Sequence, residues 1–155
     1  MQMNLPYPYL GLSAQRLTDW INSDNSTSYQ LGVDFTFSGP ALYTDSLGRN
    51  TKVTMQPVDS TKYASTDIHY WRLPLTILNN LPQGNVNPVP ISQLPFSIHG
   101  ILDAINTALG LNLTPDEVPD QTFTTELASY PLHINDAVSL AWIDSDFQFQ
   151  PQFMF

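Results

Sequence analysis

Apolar residues return at helical spacing in two places along the chain. In "LGLSAQRLTDWIN" (10–22), Leu17, Trp20 and Ile21 form a short stripe ahead of the polar run "NSDNSTS". In "LPFSIHGILDAIN" (94–106), the stripe is longer: Ile98, Ile101, Leu102, Ile105 and then Leu109, with Gly110 placed to stop the helix. The two stretches align at a constant offset of 84, pairing Leu10 with Leu94, Ser13 with Ser97, Asp19 with Asp103 and Ile21-Asn22 with Ile105-Asn106. Ser13 and Ser97 each stand ahead of a stripe and behind an apolar residue, which makes them the expected N-caps. Each half therefore opens with one amphipathic helix, on which Asp19 and Asp103 read as solvated positions.

Period-two alternation follows each helix. Val33, Phe35 and Phe37 alternate before a Gly-Pro turn, and "TKVTMQPV" (51–58) and "TDIHYWRLPL" (66–75) read as two further strands, with Asp45-Ser46-Leu47-Gly48 as a turn. In the second half Thr114, Pro115 and Glu117 carry a capping box over one short helical turn. Tyr130, Leu132 and Ile134 then alternate, as do Val138, Leu140 and Trp142. The pattern predicts an α+β protein of two tandem modules, each a helix followed by an antiparallel meander. The expected boundaries are an extended arm at 1–9, modules at 10–78 and 96–149, a Pro-rich connector at 79–95 and an aromatic segment at 150–155.

Composition narrows the function. Only 12% of the 155 residues are charged, against roughly 25% in an ordinary domain, and 13 prolines outnumber 7 glycines. Such a chain suits a rigid, strand-rich, assembled protein. The net charge of −9 is uneven: Arg16, Arg49, Lys52, Lys62 and Arg72 all precede residue 73. Beyond it stand eight acids (Asp103, Asp116, Glu117, Asp120, Glu126, Asp136, Asp144 and Asp146) and no Lys or Arg. Phosphate backbones and anionic membranes are bound by cations, so neither is an expected partner; a basic protein surface is. No apolar run approaches the ~20 residues of a membrane span. The opening "MQMNLPYPYL" has no signal-peptide pattern, which predicts synthesis in a cytoplasm.

The stretches "LTDWINSDNSTSYQLGVDFTF" (17–37) and "SLGRNTKVTMQPVDSTKYASTDIHYWRLPL" (46–75) resemble a small repeated module of virion structural proteins from large (jumbo) tailed bacteriophages. Its parts are a helix ending in Ile-Asn, an Asp-Phe strand, a Gly-Arg-Asn-Thr-Lys-Val strand and a Tyr-rich strand ending in Arg-Leu. Here Asp34-Phe35, Gly48, Arg49, Asn50, Thr51, Lys52 and Val53, and Arg72-Leu73 supply them. The second half has no Gly-Arg-Asn-Thr-Lys run. The resemblance implies a non-catalytic particle component in head, neck, tail or baseplate, present in multiple copies and bound to other virion proteins.

The residues offer little chemistry. With no cysteine, thiolate metal sites and thiol nucleophiles are excluded. His69, His99 and His133 have no metal-ligand spacing and read as structural. Asp116 and Glu117 read as first-turn helix charges, although with Asp120 they form a small acid cluster. No nucleophile elbow, P-loop or dinucleotide fingerprint occurs, and no catalytic residue, metal or cofactor is expected. Arg49 and Arg72 are expected to pair and hold turns or module contacts. The alternative reading is a carbohydrate-binding or host-surface adhesion module using Trp20, Trp71 and Trp142, but the first and last sit at core-facing positions. Partner contacts fall instead on aromatic residues near the two ends: Tyr7, Tyr9, Phe147, Phe149, Phe153 and Phe155. Pro151 is expected to detach "QFMF" so that it reaches another chain, the alternative being that both end segments fold back on their own domain.

Overall fold

The computed structural model describes residues 7–9, 11–81 and 86–155; Leu10, most of the N-terminal arm and the centre of the connector lie outside these residues. Helix α1 runs from Ser13 to Asn25 and buries Leu17, Thr18 and Ile21. The alternating segments after it form one antiparallel sheet: β1 (Phe35–Phe37), β2 (Ala41–Leu42), β3 (Thr51–Pro57) and β4 (Thr66–Tyr70). β3 is central, with β1 and β2 on one edge and β4 on the other. Val53 and Tyr70 face inward and join Leu17 and Ile21 in the core, while the Lys52–His69 and Thr54–Asp67 pairs face outward. This half follows the expected helix-plus-meander.

The second half does not repeat the sheet. β5 (Leu73–Pro74), β6 (Val89–Ile91) and β7 (Phe96–Ser97) lead to a 3-10 turn at His99–Ile101 and helix α2 (Leu102–Leu109). After it come β8 (Thr122–Phe123), β9 (Tyr130–Pro131), β10 (Trp142–Ile143), β11 (Gln148–Phe149) and β12 (Pro151–Phe153). These make two-residue or three-residue ladders: β7 with β8, β9 with β11, β5 with β10, and β6 with β12, the last two parallel. The alternation of Val138, Leu140 and Trp142 is not a strand over its length. Asn135 gathers residues 136–139 into a turn, its carbonyl accepting the Val138 and Ser139 N–H groups and its side chain accepting that of Ala137.

The 84-residue offset does hold where the helices end. Ser26 and Gly110 both take left-handed backbone (φ 54° and 65°). Each donates its N–H to the carbonyl of the matching asparagine, Asn22 or Asn106. The Asn22 side chain then exchanges two hydrogen bonds with the Tyr29 backbone (2.8 and 3.0 Å), and Asn106 does the same with Leu113 (2.9 and 2.9 Å). The helix starts differ. Ser97 accepts the Gly100 N–H at 3.0 Å, as a cap should. Ser13 caps nothing: it is the first helical residue, and its hydroxyl reaches Glu117 instead.

One buried cluster takes residues from both halves, including Val53 and Tyr70, the connector's Val89 and Ile91, and Ile105, Leu132 and Phe149.

Candidate functional site

The motif residues knit the sheet together. The Asp45 carboxylate accepts the Leu47 and Arg49 amides and pairs with Arg49 Nε at 2.5 Å, closing a turn in which Gly48 has φ 79°. Such a φ favours glycine because a Cβ would crowd the following carbonyl. Asn50 brackets the Arg72 backbone, donating to its carbonyl (3.0 Å) and accepting its N–H (2.8 Å). Lys52 takes no part in this network; it lies outward, opposite His69, whose ring stacks on Tyr43 at 4.2 Å.

Arg72 is 1% exposed yet meets no carboxylate. Its Nε donates to Thr51 Oγ1 (2.6 Å) and its Nη1 to the carbonyls of Asp136 (2.7 Å) and Ser139 (2.8 Å). The same Ser139 donates its hydroxyl to Glu117 Oε2 (2.5 Å), which also accepts the Ser13 hydroxyl (2.6 Å). A buried polar chain thus runs from β3 through Arg72, Ser139 and Glu117 to the start of α1. Burial pushes the Arg72 pKa down, with Tyr70 and Asp136 acting in the opposite direction. Arg49 therefore pairs as expected, whereas Arg72 holds backbone carbonyls across the two halves. Sequence reasoning missed Glu117 and Ser13 as members of this network. Glu117 closes its capping box through Oε1, and only tertiary packing brings the serines to Oε2.

The network is sealed rather than open to substrate, for Ser139 and Thr51 are fully buried. None of its polar contacts involves a histidine. His99 Nε2 meets the Val118 carbonyl (2.5 Å), and His133 Nδ1 meets Asp144 (3.0 Å) on a separate surface. Among the described residues no group of three His, Asp or Glu side chains could hold a metal ion.

The aromatic residues near the ends are placed differently from the expectation. Tyr9 (6% exposed), Phe147 (2%) and Phe149 (1%) lie in the chain's own core and present nothing to a partner. Tyr9 packs edge-on against Trp142 at 5.2 Å, and its N–H donates to the Gly110 carbonyl. Tyr7 is half-buried beside it, close enough to Gly110 that a Cβ there would sit 2.9 Å from the Tyr7 hydroxyl. Tyr130, fully buried, is the hub that gathers the phenylalanines. Phe96, Phe123, Phe149 and Phe153 all contact its ring, with centroids 4.9 to 6.5 Å away.

Nor does Pro151 detach the segment after it. β12 pairs with β6 of the same chain: Val89 N–H donates to the Gln150 carbonyl (2.8 Å) and Met154 N–H to that of Ile91 (2.9 Å). In that register Pro90 and Pro151 occupy positions whose backbone faces away from the partner strand, so neither removes a ladder bond. Phe153 is half-buried on Tyr130, and the exposed apolar pair is Met154 (61%) and Phe155 (63%). Met154 was not singled out in the sequence because alternation favours the phenylalanines on either side.

Trp20 is half-buried against the core, Trp142 is buried and Trp71 is half-buried between the buried Tyr70 and Arg72. They form no row of open rings. Among the described residues no helix is long and apolar enough to cross a membrane. No curated protein and no solved structure matches the chain. Residues 6–150 match a family of unknown function (DUF7941), and the chain belongs to that family.

Proposed function

We propose that this member of a family of unknown function is a non-catalytic structural component of a tailed-bacteriophage virion, joining or decorating other particle subunits. The observation that carries the reading is the use made of the motif. Gly48, Arg49, Asn50, Thr51 and Arg72 all serve to lock the sheet and bind it to the second half. Rigidity of that kind serves assembly rather than catalysis. The likeness of the helix exits at Asn22 and Asn106 supports a tandem origin of the two halves within the same reading.

Partner contact falls to Met154 and Phe155, which project beside a strand whose other edge has no partner among the described residues. Burying such side chains is worth roughly 1.5–3 kcal/mol each before ordering costs. The acidic second half supplies a charge match for a basic virion protein, so docking should weaken as salt rises. The test is incorporation. A Met154→Ser/Phe155→Ser protein keeps the β6–β12 hydrogen bonds and should melt like wild type, yet be missing from purified particles by mass spectrometry. Incorporation of the variant at normal copy number, or absence of the wild-type chain from particles, refutes the reading.

A further inference from the structure

A second surface lies away from the 150–155 segment. Between the last turn of α1 and the uncovered end of the sheet's inner face is an open groove of about 490 Å³. Ile21, Met55 and Ile68 line it together with Tyr29 and Tyr63, and Asp34 stands at its margin. The two tyrosine rings meet edge-to-face at 5.8 Å. A smaller polar groove continues past them, sharing Asp34 and adding Ser28.

The charge around it is unbalanced. Asp34 lines the groove, Asp24 adjoins the lining residue Asn25, and Asp59 opens the turn that delivers Tyr63. The one cation in these segments is Lys62, whose ammonium lies 5.3 Å above the Tyr63 ring. Asp67 follows the lining residue Thr66 but belongs to the other face of the sheet, hydrogen-bonded by Thr54. The α1 carbonyl terminus adds partial negative charge at the same end. A volume that admits one large side chain, with the Asp34 carboxylate in its lining and an excess of acids in the segments that build it, is complementary to an apolar anchor with cationic neighbours.

We propose that this groove docks a polypeptide segment in which one large apolar or aromatic side chain is flanked by Lys or Arg. The anchor enters between Tyr29 and Tyr63 over Met55 and Ile68, and a basic neighbour faces Asp34. The inference stands on the groove and its charges alone, and holds whether or not the chain is part of a particle.

The experiment titrates the isotope-labelled full chain with short peptides and follows amide resonances. A Lys-Trp-Lys peptide should shift resonances within 21–35 and 55–68, whereas Glu-Trp-Glu and Lys-Ala-Lys peptides should bind about ten-fold more weakly or worse. Asp34→Asn should weaken the first peptide and flatten its salt dependence. Ala64→Arg, at an exposed lining position, should abolish binding while leaving the melting temperature unchanged. Equal binding of the Lys-Trp-Lys and Lys-Ala-Lys peptides overturns the proposal, as do shifts elsewhere or none at all. Soluble oligosaccharides moving the groove resonances when the peptides do not would assign it to sugar. Concentration-dependent shifts of the same residues in the chain alone would assign it to a second copy. Either result overturns the basic-segment proposal.

Discussion

Replacing Arg72 with Met tests whether the buried guanidinium binds the two halves together. Methionine keeps most of the apolar stem and removes every donor. The short bonds lost are those to Thr51 Oγ1 (2.6 Å) and to the carbonyls of Asp136 (2.7 Å) and Ser139 (2.8 Å), along with a long one to the Trp142 carbonyl (3.4 Å). A net hydrogen bond to a charged group contributes roughly 1.5–3 kcal/mol, so three sum to about 4–9 kcal/mol. Against that stands the relief of no longer burying an unpaired cation, an effective penalty of several kcal/mol. Besides the Thr51 hydroxyl, the acceptors left behind are backbone carbonyls, which no compensating substitution can remove, so the balance stays unfavourable. The expected loss is about 3 kcal/mol, or about 6–12 °C in melting temperature for a chain of this size.

Urea unfolding followed by tryptophan fluorescence measures it. Arg72→Lys should recover only part of the loss, because a compact ammonium cannot reach Thr51 and both carbonyls at once. In a double-mutant cycle with Thr51→Val, the coupling should be about 1–2 kcal/mol. A Met variant within about 1 kcal/mol of wild type, or strictly additive single effects, would refute the reasoning.

Three further outcomes are expected. Burial raises the Tyr70 pKa, and also those of Tyr7 and Tyr9, so above about pH 10 the unfolded chain ionises while the folded one resists. Stability should therefore hold up to about pH 9 and fall as pH rises further; in Tyr70→Phe that fall should be shallower, with about 1–3 kcal/mol lost at neutral pH because the Leu140 carbonyl loses its 2.7 Å donor. An equally steep alkaline fall in urea titrations would refute the assignment. Gly110→Ala should destabilise by at least about 2 kcal/mol, from its φ of 65° and the crowding against Tyr7 and Pro8, whereas Ser26→Gly should stabilise by up to about 1 kcal/mol; matching effects of one sign in thermal melts would contradict this. Asn22→Ala and Asn106→Ala should each cost about 1–3 kcal/mol in chemical denaturation, since each removes the same two backbone bonds.

By itself the sequence determined whatever depends on neighbours a few residues away. Helix periodicity placed α1 and α2, and alternation placed β1, β3 and β4. Gly48 marked a turn, Gly110 a helix stop, and Thr114 with Glu117 a capping box. The offset of 84 pointed to two helices of one design, and their shared asparagine exits follow from it. Tertiary structure alone decided where residues 150–155 go, because β12 meets β6 some sixty residues earlier through a ladder only three residues long. Ladders that short have no period to read, and a proline inside one looks like a break until the register shows which way its backbone faces. The joining of Arg72, Ser139, Glu117 and Ser13 into one network was equally hidden. A buried polar chain assembled from four separate segments carries no local pattern, and only packing reveals that the hydroxyl expected to cap a helix donates instead to a carboxylate 104 residues away.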